Sequence, residues 1–370
     1  MNEPQPRFHA IDHLRAVMIL IVVFGHALLP YTTIPRKFND PQVHIGFDAL
    51  AVFLYGFAMP VFFVTAGFST ALIFYRKGTR ALWRNRFLRL FVPLLLAYLV
   101  LTPLTRAAYK FAKHAAESGS IQTGLEMLAN SHWLSWGKVY HLWFLASLIV
   151  FSAMALALRG IVRQAGLADF AQRASRRLLE SPFRAAILAL ILAATMAPAY
   201  AIYGADATTL PMQLTLFASF LIGWLLYLHR DLLTTLSARP QLSIAIALAV
   251  LPIAVWSTRL QLLSSDSVQW TTGIIAGLSN SVLAAFMIFA MVEIFQARYD
   301  QSSKLGRYIS DASYWLYLLH YPLLIAVAGA LSVSALPAVL KYLLTVSLVV
   351  PVLFASYQLV RKLPSRAAAR

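Results

Sequence analysis

The chain has 370 residues, of which 60% are hydrophobic and only 12% charged, with a mean hydropathy of +0.69. A soluble protein carries about 25% charged residues, so this composition excludes an ordinary water-soluble domain. The 31 lysines and arginines against 14 acids give a formal net charge of +17. These bases sit in short stretches between apolar runs, so they read as topology signals and contacts to membrane lipid; nucleic acid is not an expected partner. The chain has no cysteine, which excludes disulfides, thiolate metal sites and a cysteine-linked intermediate. No metal site is expected.

Ten spans of about bilayer length follow in order, near 11–31, 46–75, 87–108, 139–158, 183–203, 211–229, 241–257, 271–294, 308–330 and 336–360. The expected fold is all-α, a polytopic membrane protein of about ten helices in a single domain, 1–370. The first span is followed by Pro30-Tyr31-Thr32-Thr33, not by a small-residue cleavage site, so it reads as a retained helix and not a signal peptide. The second span is interrupted by Pro60 and the third carries Pro93 and Pro103. Such prolines are tolerated in membrane helices and mark kinks. The 105–138 stretch is the longest outer connection and is expected to form a lid or short surface helices.

Orientation follows from the basic residues. With the N-terminus inside, 23 of the 31 fall in inner segments and eight in outer ones, the bias that the positive-inside rule demands. Both ends are then cytoplasmic, and the expected location is the bacterial inner membrane.

Ionisable residues within spans are expensive and mark function. The first span, from Ile11 to His26, holds Asp12, Arg15 and His26. Eleven residues separate Arg15 from His26, close to three turns and about 16 Å of rise if the span is one helix. Asp12 lies three residues before Arg15, near enough to pair with it. The inner stretch Arg76-Lys77-Gly78-Thr79-Arg80 to Arg89 carries six bases and no acid. It reads as positive-inside topology or as a phosphate clamp. In the second reading Arg86 and Arg89, at i and i+3, share a helical face and bind phosphate bidentately.

His141 opens span four and is either an aromatic-belt residue or a site residue. His320 lies deep in span nine, where packing and a site role compete; Ser310 is the expected N-cap of that span. Gly67 and Ser69 in span two suit close helix packing, and Glu293, near the inner face, is expected to be either paired or interfacial. His44, His114, His132 and His229 receive no role.

Taken together, these pieces resemble the membrane-bound acyltransferase-3 family. The matching elements are Asp12-x-Leu14-Arg15-Ala16 with His26, Pro60-Val61-Phe62-Phe63 to Gly67-Phe68, and Arg86-x-x-Arg89-Leu90 to Pro93. To these add His141-Leu142-Trp143-Phe144-Leu145 and Ser313-Tyr314-Trp315-Leu316-Tyr317-Leu318-Leu319-His320-x-Pro322. The fourth element and the compact length also resemble the branch that places succinyl groups on osmoregulated periplasmic glucans. The resemblance implies transfer of a succinyl or acetyl group from cytoplasmic acyl-CoA to a hydroxyl of a periplasmic or lipid-linked glycan. It implies acyl-CoA and a glycan acceptor as partners beside lipid, with a homo-oligomer left open. In that scheme His26 is the catalytic base or the site of an acyl-histidine, and Asp12 assists by orienting Arg15. Arg15, Arg86 and Arg89 hold the carrier's phosphates, and His141 and His320 serve the acceptor. A secondary transporter of a small anionic solute is the rival reading, although it would favour an acid at mid-membrane and repeated halves. A scaffolding protein is the third, and has no need of three aligned ionisable groups.

Overall fold

The computed structural model describes residues 8–130, 134–204, 206–234, 240–263 and 268–362. Among them all regular structure is helical, in the order α1 (His9–Leu28), α2 (Ile45–Arg86), α3 (Val92–Ser118), α4 (Ile121–Ala129), α5 (Trp143–Gln164) and α6 (Ala168–Glu180). Then follow α7 (Arg184–Tyr203), α8 (Leu210–Leu228), α9 (Pro240–Leu263), α10 (Val268–Arg298), α11 (Lys304–Ser332) and α12 (Ala338–Lys362). Nine described helical segments are long and apolar enough to cross a membrane, and one of them, Ile45–Ser118, runs 74 residues. At 1.5 Å per residue that segment far exceeds the ~30 Å hydrocarbon core. It therefore accounts for both the second and the third expected spans. The molecule is an all-α, multi-pass membrane protein.

Several local expectations are revised. Pro60 sits inside α2 without breaking it; the non-helical backbone lies at Gly78, with φ 81° and ψ 176°. That region is open almost only to glycine, so the chain turns within the basic stretch and not at the proline. Ser310 is not an N-cap. It is buried inside α11, which begins at Lys304, and its carbonyl accepts from Ser313 Oγ at 2.7 Å. The polar turn before Ser310 is itself helical, so the helix starts beyond the apolar run. The 105–138 stretch is mostly helix: α3 continues to Ser118, and α4 is capped by Ser120, whose Oγ accepts from Thr123 N. His132 lies outside the described residues.

The chain divides into two compact units. The first comprises α1 up to Met18, Asp48–Leu95 and Trp143–Ser303. Within it α2 and α8 approach through glycines. A Cβ on Gly67 would lie 1.8 Å from the Phe220 carbonyl oxygen, and one on Gly223 would lie 1.9 Å from that of Val64. Small residues permit this backbone approach where apolar burial supplies no drive between helices in lipid. The pair Gly273 and Gly277 does the same for α10, each meeting the backbone of α7 at Ala201 and Ala197. Phe63 packs edge-on to Phe144, with ring centroids 4.9 Å apart. Glu293 is paired with Arg184, and Arg259 bonds the buried Asp48 at 2.7 Å.

The second unit comprises Ile19–Phe47, Leu96–Leu142 and the chain from Lys304 onward. Gly329 of α11 lets α3 approach at Ala112. The connection after α1 is tied down at several points. Asn39 Nδ2 donates to the Thr32 and Ile34 carbonyls at 2.9 and 3.1 Å, and the Arg36 amide donates to Asn39 Oδ1 at 2.7 Å. Lys341 of α12 counts toward outer charge in the sequence. Here it is fully buried, with Nζ 2.8 Å from Asp40 Oδ1, and Asp40 is buried too. A basic residue at a helix start therefore serves an internal ion pair and not the surface.

Candidate active site

The second unit brings three histidines together from distant parts of the sequence. The ring centroid of His320 lies 5.0 Å from that of His26 and 5.3 Å from that of His141. The Tyr321 ring completes the cluster, 4.9 Å from His26 and 5.1 Å from His141. His26 comes from the last turns of α1, His141 from the 3-10 turn Tyr140–Leu142, and His320 from the middle of α11. His26 is half-buried, whereas His141 and His320 are buried.

Each ring is fixed by a backbone carbonyl, and a carbonyl only accepts, so the facing nitrogen carries the proton. His26 Nδ1 donates to the Val22 oxygen at 2.8 Å, which makes Nε2 its lone-pair nitrogen. His320 Nδ1 donates to the Tyr317 and Leu316 oxygens at 2.7 and 3.1 Å. His141 Nε2 donates to the Leu318 oxygen at 3.1 Å. The remaining nitrogens, His320 Nε2 and His141 Nδ1, are buried and meet no hydrogen-bond partner among the described residues. Buried polar atoms are nearly always satisfied, and the exceptions cluster where chemistry happens. At His141 and His320 the arrangement presents ring nitrogens kept out of the hydrogen bonding of the described residues.

The turn holding His141 is strained. Tyr140 has φ +43°, the sole non-glycine described with a positive value. Such a conformation costs about 1–3 kcal/mol and persists where surroundings enforce it. Tyr317 supplies part of that enforcement by donating its hydroxyl to the His141 carbonyl. Tyr321 Oη and Tyr109 Oη are 2.8 Å apart, which ties α11 to α3 beside the histidines.

The arginine candidates belong to the first unit. Asp12 and Arg15 form the expected i, i+3 pair, Oδ1 to Nη2 at 3.2 Å, on the same helix as His26. Arg86 turns inward, donating from Nε to Ser152 Oγ at 3.0 Å and from Nη2 to Thr70 Oγ1 at 2.5 Å. Two hydroxyls leave several of its five N–H donors for an anion. Arg89 is exposed instead. The shared face expected for these two arginines is not formed, because a π turn, Phe87–Phe91, follows Arg86. Its i→i+5 hydrogen bonding has more residues per turn than an α-helix, so i and i+3 no longer stack.

The structure thus groups His26, His141 and His320, pairs Asp12 with Arg15, and separates Arg86 from Arg89. Sequence reasoning did not find Tyr109, Tyr140, Tyr317 and Tyr321. In a chain with 16 tyrosines, Tyr140 and Tyr321 adjoin His141 and His320, Tyr317 stands within the fifth element above, and Tyr109 carries no such signal.

Comparison with known proteins decides the family. The family described as "Acyltransferase domain" matches residues 8–358, nearly the whole chain. The chain belongs to the acyltransferase-3 family. This acyltransferase is also similar to proteins named "Glucans biosynthesis protein C" from Salmonella paratyphi B, Salmonella enteritidis PT4 and Salmonella choleraesuis. Each is 23% identical over 326 residues, covering 86% of this chain and 83% of the relative. No solved structure matches it. The acyltransferase match includes all five sequence elements noted above, and with them each of the three clustered histidines.

Proposed function

We propose that the whole chain, 1–370, works as one inner-membrane domain that transfers an acyl group from cytoplasmic acyl-CoA to a hydroxyl of a periplasmic or lipid-linked glycan. The observation that carries this reading is the convergence of His26, His141 and His320 in a chain of acyltransferase family. The glycan acceptor rests on the relatives' name, which concerns glucan biosynthesis. Succinyl and acetyl are the acyl groups to test, and membrane lipid and acyl-CoA are the other partners.

The roles follow from chemistry. Arg15, Arg86 and Arg89 lie at the basic inner end in the positive-inside orientation, and arginine suits phosphate oxygens. Asp12 acts as a positioning residue, holding Arg15. His26 follows Arg15 by eleven residues on α1, about 16 Å of rise. That length is comparable to an extended pantetheine arm. His26 Nε2 takes the proton of the acceptor hydroxyl as its oxygen attacks the thioester carbonyl. The new C–O bond forms, the C–S bond breaks, and the imidazolium returns the proton to the departing thiolate. His141 and His320 accept hydrogen bonds from the incoming hydroxyls through their bare nitrogens.

The test is thioester loss by purified protein in nanodiscs, with acetyl-CoA or succinyl-CoA as donor and a periplasmic glucan as acceptor. Glucan-dependent consumption of one donor by wild type, lost in His26→Ala, supports the reading and names the donor. If no donor is consumed and none binds, the enzyme reading fails and transport of an anionic solute takes its place.

A further inference from the structure

A recess of about 420 Å³ in the second unit is lined by Lys37, Thr102, Arg106, Ser135, Lys138 and Tyr140. Three of these six are cations. Among the described residues none of the three is paired with a carboxylate: the ion pairs run elsewhere, Lys341 to Asp40 and Lys113 to Glu117. Among the described residues Arg106 donates to Ser135 Oγ alone. Lys37 and Lys138 lie close enough to repel, and the Lys37 ammonium is pushed below the usual lysine range by partial burial first and by Lys138 second. Like charges gathered without a counter-charge are unfavourable, and an anion relieves that.

Two further features mark the recess as built. Thr102 is buried, and its hydroxyl meets no partner among the described residues. Lys37 is exposed, and its ammonium lies over two aromatic rings. Its neighbours Asn39 and Asp40 are anchored as described above, and its Nζ lies 4.7 Å from the Tyr140 ring centroid and 5.4 Å from that of Tyr109. Those rings stack, with centroids 6.0 Å apart. Aromatic faces beside cations suit a sugar ring that carries a charged group.

The recess adjoins the histidines. Tyr140 precedes His141 in one short turn, and Tyr109 bonds Tyr321, which contacts His26 and His141. We propose that this recess binds an oxyanion, a phosphate or carboxylate, carried on the reactants beside the histidine cluster. The oxyanion belongs either to a charged acceptor glycan or to the far end of a dicarboxylic acyl group. This deepens the acyltransferase reading and rests on it for the identity of the reactants.

The test is calorimetric binding to full-length protein in zwitterionic nanodiscs at fixed ionic strength. The probes are glucose 6-phosphate, succinate and, as a neutral control, glucose. Wild type is expected to bind an anionic probe saturably and glucose not at all. Lys37→Gln and Arg106→Gln each weaken that binding by about tenfold or more, the loss of one charge-assisted contact. Lys37→Arg restores it, which guards against a misfolded variant. Binding of glucose 6-phosphate but not succinate assigns the anion to the acceptor; the reverse assigns it to the acyl group. Absence of binding by either anion, or binding unaltered by these substitutions, overturns the proposal. Variant-sensitive binding in a protein that transfers no acyl group from any donor would overturn the enzyme reading and leave the recess standing.

Discussion

At the residue scale the informative feature is which nitrogen of each histidine faces a carbonyl. His26 and His320 present Nδ1 to the preceding helical turn, while His141 presents Nε2 to Leu318. The conservative replacements therefore differ. Asparagine places its amide nitrogen where Nδ1 sits, and glutamine where Nε2 sits. His320→Asn and His141→Gln should keep the backbone bonds and remove the bare nitrogens. Expected is a fall in transfer rate of about ten- to a hundredfold, with unfolding free energy within about 1 kcal/mol of wild type. Steady-state rates and thermal melts measured side by side check this; equal losses in both would mean the histidines serve packing. Protonated imidazole cannot accept a proton, so turnover should fall as the medium becomes acidic and recover as it returns to neutrality, with acyl-CoA binding as the control.

At the element scale, close approach and turning are set by glycine. Gly67 was recognisable in the sequence as a packing residue, and the structure shows the reason in the Phe220 carbonyl oxygen that a Cβ would strike. Gly67→Ala must move backbone and not a flexible side chain. It is expected to cost about 3 kcal/mol, the upper end for overpacking, read as a lowered melting temperature in detergent. Gly273-x-x-x-Gly277 has the same spacing logic for α10, yet spans five to eight offered no motif tied to chemistry and the pair passed unnoticed. Gly78 falls in the connection expected between the second and third spans, and the structure places the turn there. Pro60 looked the stronger breaker and was not, because a membrane helix can absorb the lost hydrogen bond.

At the scale of the whole molecule, buried ion pairs secure segments that periodicity treats as connections. Asp40 and Lys341, three hundred residues apart in the chain, are both fully buried. Lys341→Met leaves a carboxylate without its counter-charge and should cost about 3–5 kcal/mol; Asp40→Leu in the same protein should recover most of that. Denaturation midpoints of the single and double variants test the pairing. The charge bias predicts that both ends are cytoplasmic. A fluorescent protein fused after residue 362 should therefore fluoresce, and a phosphatase inserted near residue 119 should be active outside. The opposite pattern would overturn the orientation and with it the inner placement of the arginines.

The sequence by itself determined the class: apolar runs of bilayer length, few charges and biased loops leave little besides a polytopic helical protein. It also singled out the ionisable residues within spans, because a charge in lipid is too costly to be incidental. The i, i+3 pairing of Asp12 with Arg15 was legible for the same reason that helices are, being local and periodic. Only the tertiary structure decided that His26, His141 and His320 lie in one cluster, that four tyrosines frame it, and that Arg86 and Arg89 part company across a π turn. Helical periodicity fixes the face on which a residue lies, but not which distant face it meets. That depends on where small residues let backbones approach and on which buried charges find each other, and both are settled only when the helices pack.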